Sequence, residues 1–284
     1  ISEWMGYFLL YESMLDTVLF ARDKWLNKDG YMLPDHATIT LAGIEDKDYK
    51  SSKVNFWENV YGVDMSCFKN AVIAEPLVDI CPQKLINTSS CRILDIDLYT
   101  VKKEDLDFSS KYEITFTTNN DRFSGLVAWF DTGFTKLTKK FNLTTSPYHK
   151  STHWSQTIFY AKNDLKVNKG DKVTGSIAVK KAKLNFRQLD IKISYNVTRK
   201  NEKGEEDVFD LENKIDDEIE NVEFNFSNIL ESDYHSLKSL IQPNFQFENI
   251  NVGDLSDFLI SQHEDVGTTI RAGDMVFGVF SYVP

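Results

Sequence analysis

The chain has 284 residues, 42% of them hydrophobic and 13% aromatic, enough to bury a sizeable core in one large domain or two ordinary ones. No run approaches the roughly 18–20 apolar residues of a membrane span and no charged-then-apolar leader opens the chain, while three cysteines (Cys67, Cys81, Cys91) without CxxC spacing predict reduced thiols in a cytosolic or nuclear protein. The formal net charge of −11 is concentrated in residues 202–223 and the tail behind them; residues 1–201 carry a slight basic excess, so a cationic peptide would be met only through local acidic sites, and neither nucleic acid nor membrane is expected as a direct partner.

The chain begins at Ile1 and runs straight into Ser2-Glu3-Trp4-Met5-Gly6, which reads as a piece of a longer protein. Residues 11–25 place Met14, Leu15, Val18, Leu19, Ala21 and Trp25 at helical spacing, predicting an amphipathic helix stopped at Asn27-Lys28-Asp29-Gly30. From Tyr31 the period falls to two. Residues 37–42, 93–98, 112–116 and 191–195 alternate as strands do, and 125–130 and 156–160 are denser apolar runs suited to strands buried on both faces. Short strands separated by turn clusters such as Asn168-Lys169-Gly170-Asp171 predict a sandwich or barrel over about 32–198.

Residues 54–79 interrupt that pattern with Phe56, Trp57, Val60, Tyr61, Met65 and Phe68, read as helical and closed by Pro76. They suit either a loop helix packed on its own barrel or an arm that buries its apolar face on another subunit. Residues 199–223 read as a flexible acidic linker, with a short helix conceivable over 208–219. Beyond it, 234–241 and 255–260 have helical spacing and 276–283 reads as a strand.

The candidate chemistry opens the chain. Glu3 and Glu12 stand nine apart, flanked by aromatics, and can face each other if the chain folds back at Gly6. Paired carboxylates can share a proton, ligate a hard metal, or grip a guanidinium through fork-shaped charge-assisted hydrogen bonds. As two glutamates alone they would be ordinary solvated surface residues. His149 and His153 have a spacing that metals use, but no third ligand accompanies them and no metal is expected.

Ser2-Glu3-Trp4-Met5-Gly6-Tyr7 followed by Tyr11-Glu12-Ser13-Met14-Leu15 resembles the double-glutamate loop of protein arginine methyltransferases. The resemblance continues through Ala21–Leu26, Gly43–Lys50, Phe56–Asp64, Glu75–Asp79 and Thr152-His153-Trp154-Ser155-Gln156-Thr157, spanning roughly residues 1–198. It is most like the asymmetric-dimethylating (type I) enzymes of fungi and animals. It implies methyl transfer from S-adenosylmethionine to a terminal arginine nitrogen in arginine/glycine-rich proteins, in nucleus and cytoplasm. A guanidinium keeps its proton at working pH, so two carboxylates that bias its charge toward one nitrogen leave the other a better nucleophile. By motif position Glu3 and Glu12 take that role, His153 is a candidate for handling the released proton, and Met5, Tyr7 and Trp154 line the substrate pocket.

The resemblance further implies a mainly β fold with α: residues 1–31 as the end of an α/β cofactor domain, 32–198 as a β-barrel, 54–79 as an arm through which a homodimer forms (Phe56, Trp57, Tyr61, Met65, Phe68), and 199–221 as the linker. Two stretches depart from the family pattern: Lys150-Ser151 stand before the Thr-His-Trp loop where Pro-Tyr is usual, and Asn185-Phe186-Arg187-Gln188-Leu189 precedes the last barrel strand where Asn-Asn-Arg-Asp-Leu is usual. The glycine-rich turn that cradles the cofactor, and the acidic residue for its ribose, belong upstream of Ile1 in the family; the chain by itself is therefore expected neither to bind S-adenosylmethionine nor to turn over.

Residues 222–284 look like the opening of the BCCIP family of nuclear chaperone and export proteins, through 221–226, 233–240, 254–262 and 267–270. A nuclear or ribosomal-protein partner is the implied role. The alternative to an enzyme fragment is a non-catalytic module that dimerises or binds protein, fused to this segment. A methyltransferase acting on small molecules fits the double-glutamate loop less well.

Overall fold

The structure, a computed structural model, describes residues 1–200, 206–209, 225–227, 234, 238, 252–261, 268–272 and 275–280. It divides into two units, 1–216 and 217–284.

In the first unit, helix α1 (Met14–Trp25) ends where expected but starts three residues later than the expected 11–25, because Glu12 and Ser13 are left-handed. Asp16 in its first turn and Arg22 and Lys24 in its last complement the helix dipole. Leu15 and Leu19 turn inward, and Arg22 donates from Nη1 to the carbonyls of Leu98 (2.8 Å) and Val101 (2.7 Å). Asp16 meets Lys181 at 2.7 Å and Lys103 at 3.0 Å. The helix is thus pinned along its length to the β region.

That β region is two antiparallel sheets. The first contains β1 (His36–Ile44) between β3 (Ile86–Asp97) at one edge and the central β5 (Asp121–Phe134); β5 also pairs with β6 (Phe141–Thr144) and with β7 (Gln156–Val167), which carries the short β2 (Leu77–Asp79). The second runs β10 (Glu206–Phe209), β9 (Leu189–Lys200), β8 (Lys172–Lys181), β4 (Phe108–Thr115). A bridge from Thr88 to Phe116 links the sheets at one edge. Ile39 and Phe130 from the first sheet and Ile114, Ile177 and Tyr195 from the second share one core, and Trp4, Phe8, Leu9 and Leu10 join it. Because alternate residues of a strand point to opposite faces, the run 125–130 needs a second apolar layer; Val127 and Trp129 find it against Ile158, Tyr160, Ile73 and Leu77.

The interruption is more broken than its composition predicts. Residues 47–49 are α-helical, Lys50–Val54 a π turn and Asn55–Glu58 a 3-10 turn; a tight Val60–Val63 bridge follows, then helix α2 (Phe68–Ala74), which stops before Glu75-Pro76. Tyr61 (φ 51°) and Gly62 (φ 90°) are left-handed, a conformation no continuous helix admits. The linker expectation also needs correction at its start. Arg199 and Lys200 complete β9, and residues 206–209 add an edge strand rather than helix, with Val208 opposite Thr198 and Asp207 opposite Arg199. A dense charge run hides a strand when its partner carries the complementary charge type. The remainder of 201–223 lies outside the described residues.

In the second unit, helix α3 (Val252–Ser261) contains the expected 255–260 helix, and the expected strand near 276 is β13 (Met275–Phe280), paired with β12 (Thr268–Ala272), which pairs with β11 (Asn225–Ser227). Of the expected 234–241 helix only Tyr234 and Lys238 are described, both helical. Among the described residues no helix is long and apolar enough to cross a membrane.

Candidate functional site

The site is built on the loop ahead of α1. Its hydrophobic residues fix its path: Trp4, Phe8, Leu9 and Leu10 are buried, which turns Glu3, Tyr7, Tyr11 and Glu12 outward. The chain folds back at Gly6, whose N–H donates to Leu9 O at 3.0 Å. A Cβ there would lie 1.9 Å from Tyr11 O, so only glycine lets the two halves come this close. Phe8, Leu9, Glu12 and Ser13 take positive φ (51°, 63°, 77° and 56°) to complete the reversal. Such a run of left-handed residues is costly and persists because the surrounding contacts dictate it.

Those contacts come from two other loops. Trp154 donates from Nε1 to Met5 O at 2.7 Å and stacks edge-on to Phe130, 5.7 Å between ring centroids. His153, exposed, lies against Trp154 with centroids 3.8 Å apart. The Thr-His-Trp turn is closed by Ser155 N–H to Thr152 O (3.1 Å) with Ser155 at φ 50°. From the β8–β9 turn, Arg187 O accepts the Glu12 N–H (2.7 Å), Phe186 O accepts the Ser13 hydroxyl (2.5 Å), and the Arg187 guanidinium pairs with Glu12 Oε2 at 3.0 Å.

The structure therefore brings Met5, His153 and Trp154 together through direct contacts, joins Glu12 instead to Arg187 of the β8–β9 turn, and leaves Tyr7 43% exposed and loosely stacked on Tyr11 (6.3 Å). Glu3 is exposed on the same loop. Arg187 was not picked out by the sequence reading, which flagged its stretch only as a departure; the signal was present as the one cation of that stretch. Gln156 was also missed. Buried at the foot of the Thr-His-Trp turn, it accepts from Cys81 N–H (2.7 Å) and donates to Thr145 O (2.6 Å). Burial, and then the charge of Asp46, push the Cys81 thiol up to about 12, so it is no nucleophile. Among the described residues no group of three or more His, Cys, Asp or Glu could hold a metal ion.

The five arm residues divide. Trp57 packs on Phe68 (5.1 Å between centroids) and its carbonyl accepts Met65 N–H (2.9 Å), so these three half-buried residues are tied together within the arm. Phe56 (46% exposed) packs edge-on against Trp57, 5.6 Å between ring centroids, whereas Tyr61 is 84% exposed.

Comparison with known proteins gives the following. Residues 35–200 match the arginine methyltransferase oligomerization subdomain, and residues 219–283 match the BCCIP family. The chain is 55% identical over 195 residues to protein arginine N-methyltransferase 1 of Schizosaccharomyces pombe, covering 69% of this chain and 57% of that protein. It is 50% identical over 190 residues to protein arginine N-methyltransferase 8-B of Danio rerio, covering 67% and 45%. It spans about half the length of the curated relatives it matches. Among solved structures it is similar to a chain of the Trypanosoma brucei PRMT1 enzyme-prozyme heterotetrameric complex with AdoHcy (TM-score 0.67, 38% identity, 73% of this chain and 65% of that one). It is similar too to protein arginine methyltransferase 10 of Arabidopsis thaliana (TM-score 0.63, 28% identity, 73% and 67%).

Proposed function

The chain belongs to the protein arginine methyltransferase family, and from that membership we propose that it carries the arginine-holding part of an enzyme that mono- and asymmetrically dimethylates arginine in arginine/glycine-rich proteins. The observation that supports this reading is the hydrogen bond from Trp154 to Met5 O, which fastens the Thr-His-Trp turn, and His153 with it, to the double-glutamate loop. Glu3 and Glu12 hold the cation and localise its charge on one nitrogen; the other is left with a freer lone pair. His153, exposed beside Trp154, is positioned to take the proton that the methylated nitrogen sheds. Met5 and Tyr7 wall the side chain.

The methyl donor is S-adenosylmethionine, which the AdoHcy in the Trypanosoma brucei relative supports. The described residues do not fit its nucleotide end: no strand among them leads through a glycine-rich turn into a helix, so this chain is assigned the substrate side alone. Tyr61, with the exposed part of Phe56, belongs to an arm that pairs two copies, a role that the match to an oligomerization subdomain supports. The enzyme works in nucleus and cytoplasm, and the BCCIP-like segment recruits a nuclear or ribosomal protein.

The test is a heteronuclear NMR titration of the 284-residue chain with an Arg-Gly-Gly repeat peptide, its lysine counterpart, and the Glu12→Gln variant. Arginine peptide should move the amide signals of residues 3–13 and 152–155, lysine peptide should do so more weakly, and Glu12→Gln should abolish the preference. Equal response to both peptides in the native chain would sink the reading.

A further inference from the structure

The Arg187–Glu12 pair answers to two descriptions that make opposite demands. Arg187 could hold Glu12 in place for substrate, or it could occupy the carboxylate that substrate needs. The backbone decides between them. Glu12 N–H to Arg187 O (2.7 Å) and the Ser13 hydroxyl to Phe186 O (2.5 Å) tie the double-glutamate loop to the β8–β9 turn without any help from the Arg187 side chain. The turn is itself closed by Gln188 N–H to Asn185 O (2.8 Å), Ala182 N–H to Gln188 O (2.9 Å) and Arg187 N–H to Asn185 Oδ1 (3.1 Å). Positioning is thus done without the Arg187 side chain.

The side-chain pair has the character of an exchangeable contact. One Nη2 meets one carboxylate oxygen at 3.0 Å, and the two side chains are 58% and 50% exposed. Pairs this wet contribute little and open readily. The group presented is a guanidinium, chemically the same headgroup as the proposed substrate.

We propose that Arg187 is an internal competitor: its guanidinium neutralises Glu12 in the resting site and must be displaced by the incoming arginine, which sets a ceiling on substrate affinity and helps to expel the methylated side chain. This rests on Glu12 being a guanidinium ligand. Because Arg187 is tethered, its competition is independent of protein concentration and weak enough for a substrate held by two carboxylates to overcome.

The experiment is the titration of the full 284-residue chain with the Arg-Gly-Gly peptide, using Arg187→Gln, Arg187→Lys, Glu12→Gln and the Glu12→Gln/Arg187→Gln double variant, each checked for a cooperative thermal transition. Arg187→Gln should bind about two- to fivefold tighter, the range expected from releasing an exposed pair. Arg187→Lys, which keeps the charge and loses the fork, should fall between it and the native chain and keeps the test open if the glutamine variant does not fold. In the Glu12→Gln background the Arg187 substitution should change nothing. Unchanged or weaker binding by both Arg187 variants, with Glu12→Gln still weakening the native chain, overturns the competitor and leaves the guanidinium site standing. If Glu12→Gln has no effect on binding, the site reading falls first and the competitor with it.

Discussion

Replacing Gly6 with alanine tests whether the fold-back of the double-glutamate loop depends on close backbone approach. A Cβ at residue 6 would stand 1.9 Å from Tyr11 O, 2.7 Å from Tyr11 C and 3.3 Å from Tyr11 Cα. Real Cβ contacts below 3.0 Å essentially do not occur, so the strand of loop carrying Tyr11 must retreat by about 1.1 Å. What must move is main chain, which cannot rotate away as a side-chain tip does. It is also held on its far side by Glu12 N–H to Arg187 O and by the buried Leu9 and Leu10. Forced overpacking of this kind costs about 1–3 kcal/mol. A displacement of about 1 Å at a binding group can cost on the order of a hundredfold in function. The assay pairs thermal unfolding with the arginine-peptide titration. Gly6→Ala should lower the transition by the stated free energy and abolish arginine preference even at temperatures where the chain is folded. Gly62→Ala is the comparison, because a Cβ there meets nothing within 4 Å and only its φ of 90° is strained; it should cost about 1 kcal/mol and leave peptide binding untouched. Native-like stability and binding in Gly6→Ala would refute the close-approach account.

Trp154→Phe keeps the ring against Phe130 but removes the donor to Met5 O; it should cost about 1–3 kcal/mol and disperse the signals of 3–13 and 152–155 independently on titration, whereas coupled shifts would show that the hydrogen bond is dispensable. Asp35 gives a pH signature. Burial alone would raise its carboxyl, but hydrogen bonds from the Thr135 hydroxyl (2.7 Å) and Lys136 N–H (2.9 Å) outweigh that and hold it below the usual range. A depressed folded pKa stabilises fully above the unfolded value of about 3.9 and is lost as pH falls through the folded value. Asp35→Asn should therefore be about 1.5–3 kcal/mol less stable than the native chain at pH 7, with the gap closing below about pH 4; a gap constant with pH would contradict the assignment. On the arm, Tyr61→Ala should shift sedimentation toward the single chain while changing the thermal transition by less than about 0.5 kcal/mol, and Trp57→Ala, which loses the contacts with Phe56 and Phe68, should lower the transition itself. Undiminished self-association in Tyr61→Ala would place the pairing surface elsewhere.

The sequence made legible what depends on short-range pattern. The 3.6-residue spacing of Leu15 and Leu19 located α1, and the unbroken apolar run at 125–130 announced a strand covered on both faces. The fold-back conceived at Gly6 is present, but its physical cause, the Tyr11 carbonyl in the space a Cβ would fill, is visible only in three dimensions. What failed was local pattern overridden by partners distant in sequence. Residues 206–209 read as linker because their charges signal solvation, yet β9 offers them an edge with Arg199 and Lys200 in register. The arm reads as helix from its apolar spacing, but left-handed Tyr61 and Gly62 break it, and tyrosine gives no warning of positive φ. Arg187 lies 175 residues from Glu12, and a contact between an exposed cation and an exposed carboxylate leaves no periodicity to detect.

The proposed division of labour, in which this chain supplies the arginine side of the site and not the cofactor side, is open to direct test. Calorimetry on the 284-residue chain, titrated separately with the Arg-Gly-Gly peptide and with S-adenosylmethionine, addresses both halves at once. The expected result is measurable heat from the peptide, lost in Glu12→Gln, and none from S-adenosylmethionine. Saturable binding of S-adenosylmethionine, or a peptide that gives no heat at all, would contradict it.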